Sequence, residues 1–134
     1  MLSYSPPEQK FFFHEDLKLS YTVEGDGEPI LLIHGFASSL YINWYSSGWV
    51  EFLRQYGYKV ITIDNRGHGK SAKPHSGDAY TPKKMADDAA ALLDFLKIER
   101  AHVMGYSMGA RIAAFLTLHH PAMVHSLVPV SYTH

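Results

Sequence analysis

Residues 105–109 read Gly105-Tyr106-Ser107-Met108-Gly109. They follow a short apolar run at His102–Met104 and precede an amphipathic stretch at Met108–His119. A serine on the bend between a strand and a helix holds its hydroxyl clear of the backbone, with a helix N-terminus beneath it. The chemistry that suits such a hydroxyl is attack on a carbonyl carbon. Gly105 and Gly109 remove the side chains that would collide where strand and helix pass around a strained residue, whose conformation costs on the order of 1–3 kcal/mol. The N–H of Met108, at the start of the helix, points to where negative charge would develop on the carbonyl oxygen. Phe36 is the expected second donor, because Gly35 in His34-Gly35-Phe36 lets the backbone turn an N–H toward Ser107. Losing one such donor typically costs about 2.7–4 kcal/mol of barrier. The predicted catalytic set is therefore Ser107 as nucleophile, with the backbones of Phe36 and Met108 as oxyanion donors.

A serine nucleophile also needs a histidine base and usually a carboxylate behind it. The histidines of this chain do not announce one. His34 and His68 sit beside glycines in the segments after strands and are expected to pack the oxyanion loop. His14, His75, His102, His119, His120, His125 and His134 show no metal-ligand spacing beyond the adjacent pair at 119 and 120, whose side chains diverge on a helix. Asp87 and Asp88 lie in the first half of a predicted helix, where negative charge suits the dipole. Gly67-His68-Gly69-Lys70-Ser71 ends like a phosphate-binding loop, yet the glycine required five residues before Gly69 is replaced by Asp64, and Pro74 prevents a long helix from starting at Lys70. Asp64–Gly69 is read as a tight, hydrogen-bonded turn bracing the active-site face. No cofactor and no metal is expected, and the absence of cysteine excludes thiolate chemistry.

Positioning these residues requires strands that end beside one another. Phe11–Phe13 and Leu17–Val23 are β-rich and separated by the polar turn His14-Glu15-Asp16, as in an antiparallel hairpin. Ile30–Ile33, Lys59–Ile63 and His102–Met104 are short continuous apolar runs, the pattern of parallel strands buried on both faces. Helices are expected at Val50–Tyr56, at Thr81–Leu96 with Thr81 as N-cap and Pro82 in the first turn, and at Met108–His119. A last β-rich run spans Val124–Val130. This order implies an α/β fold: a mostly parallel sheet with helices on both faces, in which chemistry gathers at the carboxyl ends of the strands. Ser107, His34-Gly35-Phe36 and Asp64–Gly69 all fall there. Trp44, Trp49 and Tyr106 hint at an apolar lining.

Composition bounds the partners. The chain has 134 residues, 46% hydrophobic and 13% aromatic, enough for one packed domain and too few for two. A formal charge of −1 gives no field that would recruit nucleic acid or an anionic membrane, which leaves a small-molecule substrate. No stretch approaches the roughly 18 apolar residues of a membrane span. Met1–Pro7 lacks the basic and apolar regions of a secretion signal, so a cytoplasmic location is expected.

The His-Gly-Phe ending of Ile30–Phe36, the run Asp64-Asn65-Arg66-Gly67-His68-Gly69-Lys70-Ser71 and Gly-Tyr-Ser-Met-Gly at 105–109, in this order, resemble the α/β-hydrolase superfamily from Lys10 to Val130. The resemblance implies an eight-stranded sheet whose second strand is antiparallel, a nucleophile after strand five, and oxyanion donors at Phe36 and Met108. It also implies an acid after a later strand and a histidine after the last one, and neither falls on a residue of this chain. Residues 1–134 are accordingly expected to form a single incomplete domain, truncated after about strand six. Two functions follow. One is a serine hydrolase of esterase type acting on ester-like or related carbonyl substrates. A serine argues against the dehalogenases and epoxide hydrolases that resemble this pattern but use an aspartate, while peroxidase-like and carbon–carbon hydrolases stay compatible. The other is a non-catalytic fragment or scaffold of the same fold. In that fold Val124–Val130 would be an exposed sheet edge open to self-association, with Pro129 unexpected in what should be an interior strand.

Overall fold

A computed structural model describes residues 6–130 of the chain. The start of the chain at residues 1–5 and His134 lie outside the described residues. Six strands form one sheet in the order β1-β2-β4-β3-β5-β6. β1 (Lys10–His14) and β2 (Leu17–Glu24) make the expected antiparallel hairpin, and its turn places Glu15 and Asp16 at positive φ, 51° and 67°. β2 then lies antiparallel to β4 (Tyr58–Ile63). From there the sheet is parallel through β3 (Glu28–Ile33), β5 (Ala101–Tyr106) and β6 (Val124–Val130).

Strands buried on both faces explain the continuous apolar runs. Leu31 and Ile33 of β3 join one core with Ile61 and Ile63 of β4, under α2 (Pro82–Phe95) and α3 (Met108–His119). Ile30 and Leu32 face the other way, into a second core with Val60, Trp44, and Val50 and Leu53 of α1 (Trp49–Gln55). Helices thus cover both faces, two on one and one on the other. α2 starts as its sequence predicts: the Thr81 hydroxyl accepts from the Lys84 N–H at 3.2 Å and Pro82 occupies the first turn.

Two features depart from expectation. β5 continues two residues past Met104, to Tyr106, so the strand delivers the chain directly onto Ser107. A π-helical turn at Tyr41–Tyr45, invisible in the residue pattern, joins β3 to α1. β1 and β6 are the outer strands of the described sheet, the edge position expected for Val124–Val130, and Pro129, in register with Gly105, stands where a missing N–H is tolerated.

Candidate active site

The elbow is built from backbone contacts. Ser107 adopts φ 57°, ψ −116°, a region sparsely used by residues with a side chain, and caps the start of α3, where its carbonyl accepts from the Ala110 N–H at 2.9 Å. Its own N–H donates to the Val130 carbonyl of β6 at 2.9 Å, so the bend is tied to the neighbouring strand. The flanking glycines are required by close approach. A Cβ on Gly105 would lie 2.2 Å from the Gly109 carbonyl oxygen, and one on Gly109 would lie 2.0 Å from that of Ile33. The ends of β5 and β3 and the start of α3 therefore meet at main-chain contact. The side chain of Ser107 is left exposed at that meeting point.

Gly35 also reaches the serine. A Cβ there would stand 3.4 Å from the Ser107 Cβ and 3.1 Å from the Tyr106 carbonyl oxygen. The turn His34-Gly35-Phe36 thus runs beside Ser107, and its orientation follows from His34. That imidazole is fully buried. Its Nδ1–H donates to the Gly35 carbonyl at 2.7 Å, and its Nε2 accepts the Asn65 N–H at 3.0 Å. The Asn65 side-chain amide donates to the His34 carbonyl at 3.1 Å, closing the pair. Because the peptide unit is planar and trans, fixing the Gly35 carbonyl sends the Phe36 N–H in the opposite direction. Burial lowers the His34 pKa to about 4, against partial support from the Gly35 carbonyl and Asp64, so near neutral pH the ring stays uncharged and both bonds persist. With both nitrogens engaged, His34 has no lone pair with which to act as a base. Among the described residues neither the N–H of Phe36 nor that of Met108, the first helical residue, donates to a protein acceptor.

Beside these donors lies a cleft of about 450 Å³ lined by Phe36, Ala37, His68, Tyr80, Met85 and Met108, with Gly67. Two of its polar groups are engaged elsewhere: the Tyr80 hydroxyl donates to the Pro74 carbonyl at 2.6 Å, and the His68 Nδ1–H donates to the Arg66 carbonyl at 3.0 Å. The His68 ring packs against both His34 and Phe36, with centroids 5.1 and 5.9 Å away. What faces the cleft is mostly carbon and sulfur. The Phe36 side chain, 75% exposed, stands at its mouth.

The wall is held by two buried acids. Asp64 accepts from the Leu40 N–H at 2.9 Å, the Lys70 N–H at 3.0 Å and the Gln9 side chain at 3.0 Å, while the Ser71 hydroxyl donates to its carbonyl at 2.6 Å. The segment resembling a phosphate loop is thus wrapped inward around a carboxylate, a turn bracing the site. Asp88, placed by its position as a helix-dipole charge, proves to be buried and to receive Arg66 in a two-pronged pair, both contacts 2.7 Å. Arg66 also donates to the Ala79 carbonyl at 2.9 Å, and His14 donates to Asp88 at 2.7 Å. The Asp88 hydrogen bonds raise the already high pKa of Arg66 further. Asp87, by contrast, lies nearer the surface and pairs with Lys83 and His120 at 2.9 and 2.8 Å.

The structure brings together Ser107, Met108, Phe36 and His34, all singled out from the sequence. Sequence reasoning missed Tyr80 and Met85 on the cleft, the Arg66–Asp88 pair, and Asn43, whose side-chain oxygen accepts the Gly35 N–H at 2.7 Å. Only Tyr80 had a signal, lying just before the Thr81 cap. Trp44 is core and Trp49 lies on α1, so neither lines this cleft. Among the described residues no group of histidines and carboxylates is arranged to hold a metal ion, and no helix is long and apolar enough to cross a membrane.

Known proteins share this fold. A family model described as the alpha/beta hydrolase fold matches residues 28–132. Epoxide hydrolase 3 of Siraitia grosvenorii is 33% identical over 115 residues, covering 86% of this chain and 35% of that protein. A putative non-heme bromoperoxidase, BpoC, of Mycobacterium tuberculosis is 37% identical over 112 residues, covering 84% and 41%. Among solved structures, Est816, described as an N-acyl homoserine lactone degrading enzyme, superposes with a TM-score of 0.81 at 38% identity over 92% of this chain and 46% of its own. An epoxide hydrolase from Vigna radiata superposes at 0.84 with 26% identity, covering 95% and 40%. The chain therefore spans less than half the length of these relatives. With three strand ends converging on an exposed serine and a family match over most of its length, the chain belongs to the α/β-hydrolase fold family.

Proposed function

We propose that this protein is a hydrolase of ester-like or related carbonyl substrates, with Ser107 as nucleophile and the N–H groups of Phe36 and Met108 as oxyanion donors. The observation that carries this reading is the strained, exposed Ser107 on an elbow of three touching backbones, with two N–H groups beside it that no described protein acceptor takes. The Ser107 oxygen forms the new bond to the carbonyl carbon as the carbonyl π pair moves onto oxygen, where the two donors receive the charge. The serine proton passes to a general base, and the alcohol leaves once protonated, giving an acyl-enzyme that water cleaves. No residue of this chain is assigned as that base. The family resemblance implies a base after the last strand of a longer sheet. The apolar cleft beside Met108 suits the acyl part of a small substrate.

The relatives named as epoxide hydrolases invite a different nucleophile, but residue 107 is serine here, and a hydroxyl with an adjacent oxyanion site suits acyl transfer. The likeness to a lactone-degrading enzyme points the same way. A fluorophosphonate probe should label the full-length protein at Ser107 and fail to label Ser107→Ala; absence of label on the parent protein sinks the proposal. A second reading, that residues 1–134 alone act only as a scaffold, is favoured by one observation: no described residue hydrogen-bonds the Ser107 hydroxyl. Turnover of p-nitrophenyl acetate by the 134-residue chain, lost in Ser107→Ala, would refute it.

A further inference from the structure

We infer that Asn43 is a positioning residue for the oxyanion donor at Phe36: its carboxamide oxygen pins the His34–Gly35 peptide unit and so completes the aim of the next one. The inference rests on the serine-hydrolase reading above and extends it to a residue outside the turn.

Gly35 lies between two peptide planes, and as a glycine it leaves their relative rotation freer than any other residue would. The second plane, Gly35–Phe36, is held through its carbonyl by the His34 ring at 2.7 Å. One contact at one edge lets a plane pivot about that bond. The first plane, His34–Gly35, is held through its N–H by Asn43 Oδ1, also at 2.7 Å. With both planes fixed, the torsions at Gly35 have nowhere to go, and the Phe36 N–H keeps one direction. The remainder of the loop carries its own strain, since Ala37 sits at φ 60°, and is pinned downstream by Leu40 N–H to Asp64 at 2.9 Å. Without Asn43 the strain at Ala37 could relax upstream through the glycine.

Asn43 is itself prepared for this task. It lies in the π-helical turn Tyr41–Tyr45, a form found mostly as single turns and often at functional sites. Its N–H donates to the Ser39 carbonyl at 3.0 Å, and its carbonyl accepts from the Ser47 hydroxyl. Trp44 and Tyr45 immediately after it are buried in the core. The backbone of Asn43 is thus anchored on both sides, and its side chain alone is directed to the loop. Since the Gly35 group is a donor, the carboxamide must present oxygen to it.

The test is Asn43→Ala and Asn43→Asp in the full-length protein, read by fluorophosphonate labelling of Ser107 and by kcat and KM for p-nitrophenyl acetate, with thermal midpoints as a folding control. Asn43→Ala should lower labelling and kcat about 10- to 100-fold with KM little changed, and Asn43→Asp, which keeps an acceptor oxygen, should recover most of the loss. A labelled wild type with Asn43→Ala within about twofold of it, or Asn43→Asp no better than alanine, overturns the positioning role and leaves the hydrolase reading standing. A wild type that is not labelled at Ser107 overturns both. Should the alanine variant not fold, amide hydrogen exchange on the wild type decides: the Gly35 N–H must be protected, and exchange at an unprotected rate overturns the inference.

Discussion

The two N–H groups proposed as oxyanion donors reach Ser107 by opposite routes. Met108 is placed by the chain immediately around it: β5 ends at Tyr106, the serine takes the bend, and α3 begins, all within three residues. Phe36 is placed by its neighbour His34 together with residues outside the turn. His34 aims its peptide, Asn65 orients His34, and Asn43 and Asp64 pin the loop on either side. The elbow therefore depends on the absence of side chains, and the oxyanion turn depends on their presence. A locally built feature fails when something is added, whereas a feature built from tertiary contacts fails when something is removed.

Breaking the distant support should cost most. Asp88→Ala leaves the Arg66 guanidinium buried without its carboxylate, next in sequence to the Asn65 that orients His34, and should destabilise the protein by about 3–5 kcal/mol. Denaturant unfolding checks this; a loss below about 1 kcal/mol would mean that the pair is already wet and holds nothing. Adding to the elbow comes next. Gly109→Ala puts a methyl 2.0 Å from the Ile33 carbonyl oxygen, where backbone must yield, and should cost about 3 kcal/mol while slowing labelling of Ser107. Full stability in that variant would show that α3 and β3 are not in main-chain contact.

The smallest effect is a pH dependence. The folded His34 pKa, lowered to about 4, lies below its ordinary 6.5, so the unfolded chain binds the extra proton first as pH falls. The neutral ring's contribution is whole above about pH 6.5 and is lost as pH drops toward 4, by about 2 kcal/mol at pH 5 and about 3 at pH 4. Stability curves of wild type and His34→Gln should converge as pH falls through this window. Ring resonances of His34 in the wild type should keep neutral shifts down to about pH 4, and a midpoint near 6.5 would contradict the burial argument.

Much of the scaffold was legible because burial on both faces writes continuous apolar runs, and because helix starts carry their own chemistry, as at Thr81-Pro82. The elbow was legible too, its glycines and its strand-to-helix change lying in one pentapeptide. What went unread was reach across the fold. Nothing in Tyr41–Tyr45 marks a π-turn, and nothing about Asn43 says which N–H its oxygen will meet eight residues upstream. Asp88 looked like any acid in the first half of a helix until Arg66 was found against it.

By itself, then, the sequence determined where a nucleophile could stand and which two N–H groups could serve it, because those depend on glycine, serine and periodicity within a few residues. Only the tertiary structure decided how the Phe36 N–H is aimed and what keeps it aimed, since the orientation of His34 and of the Gly35 peptide depends on Asn65 and Asn43, which folding brings from other loops.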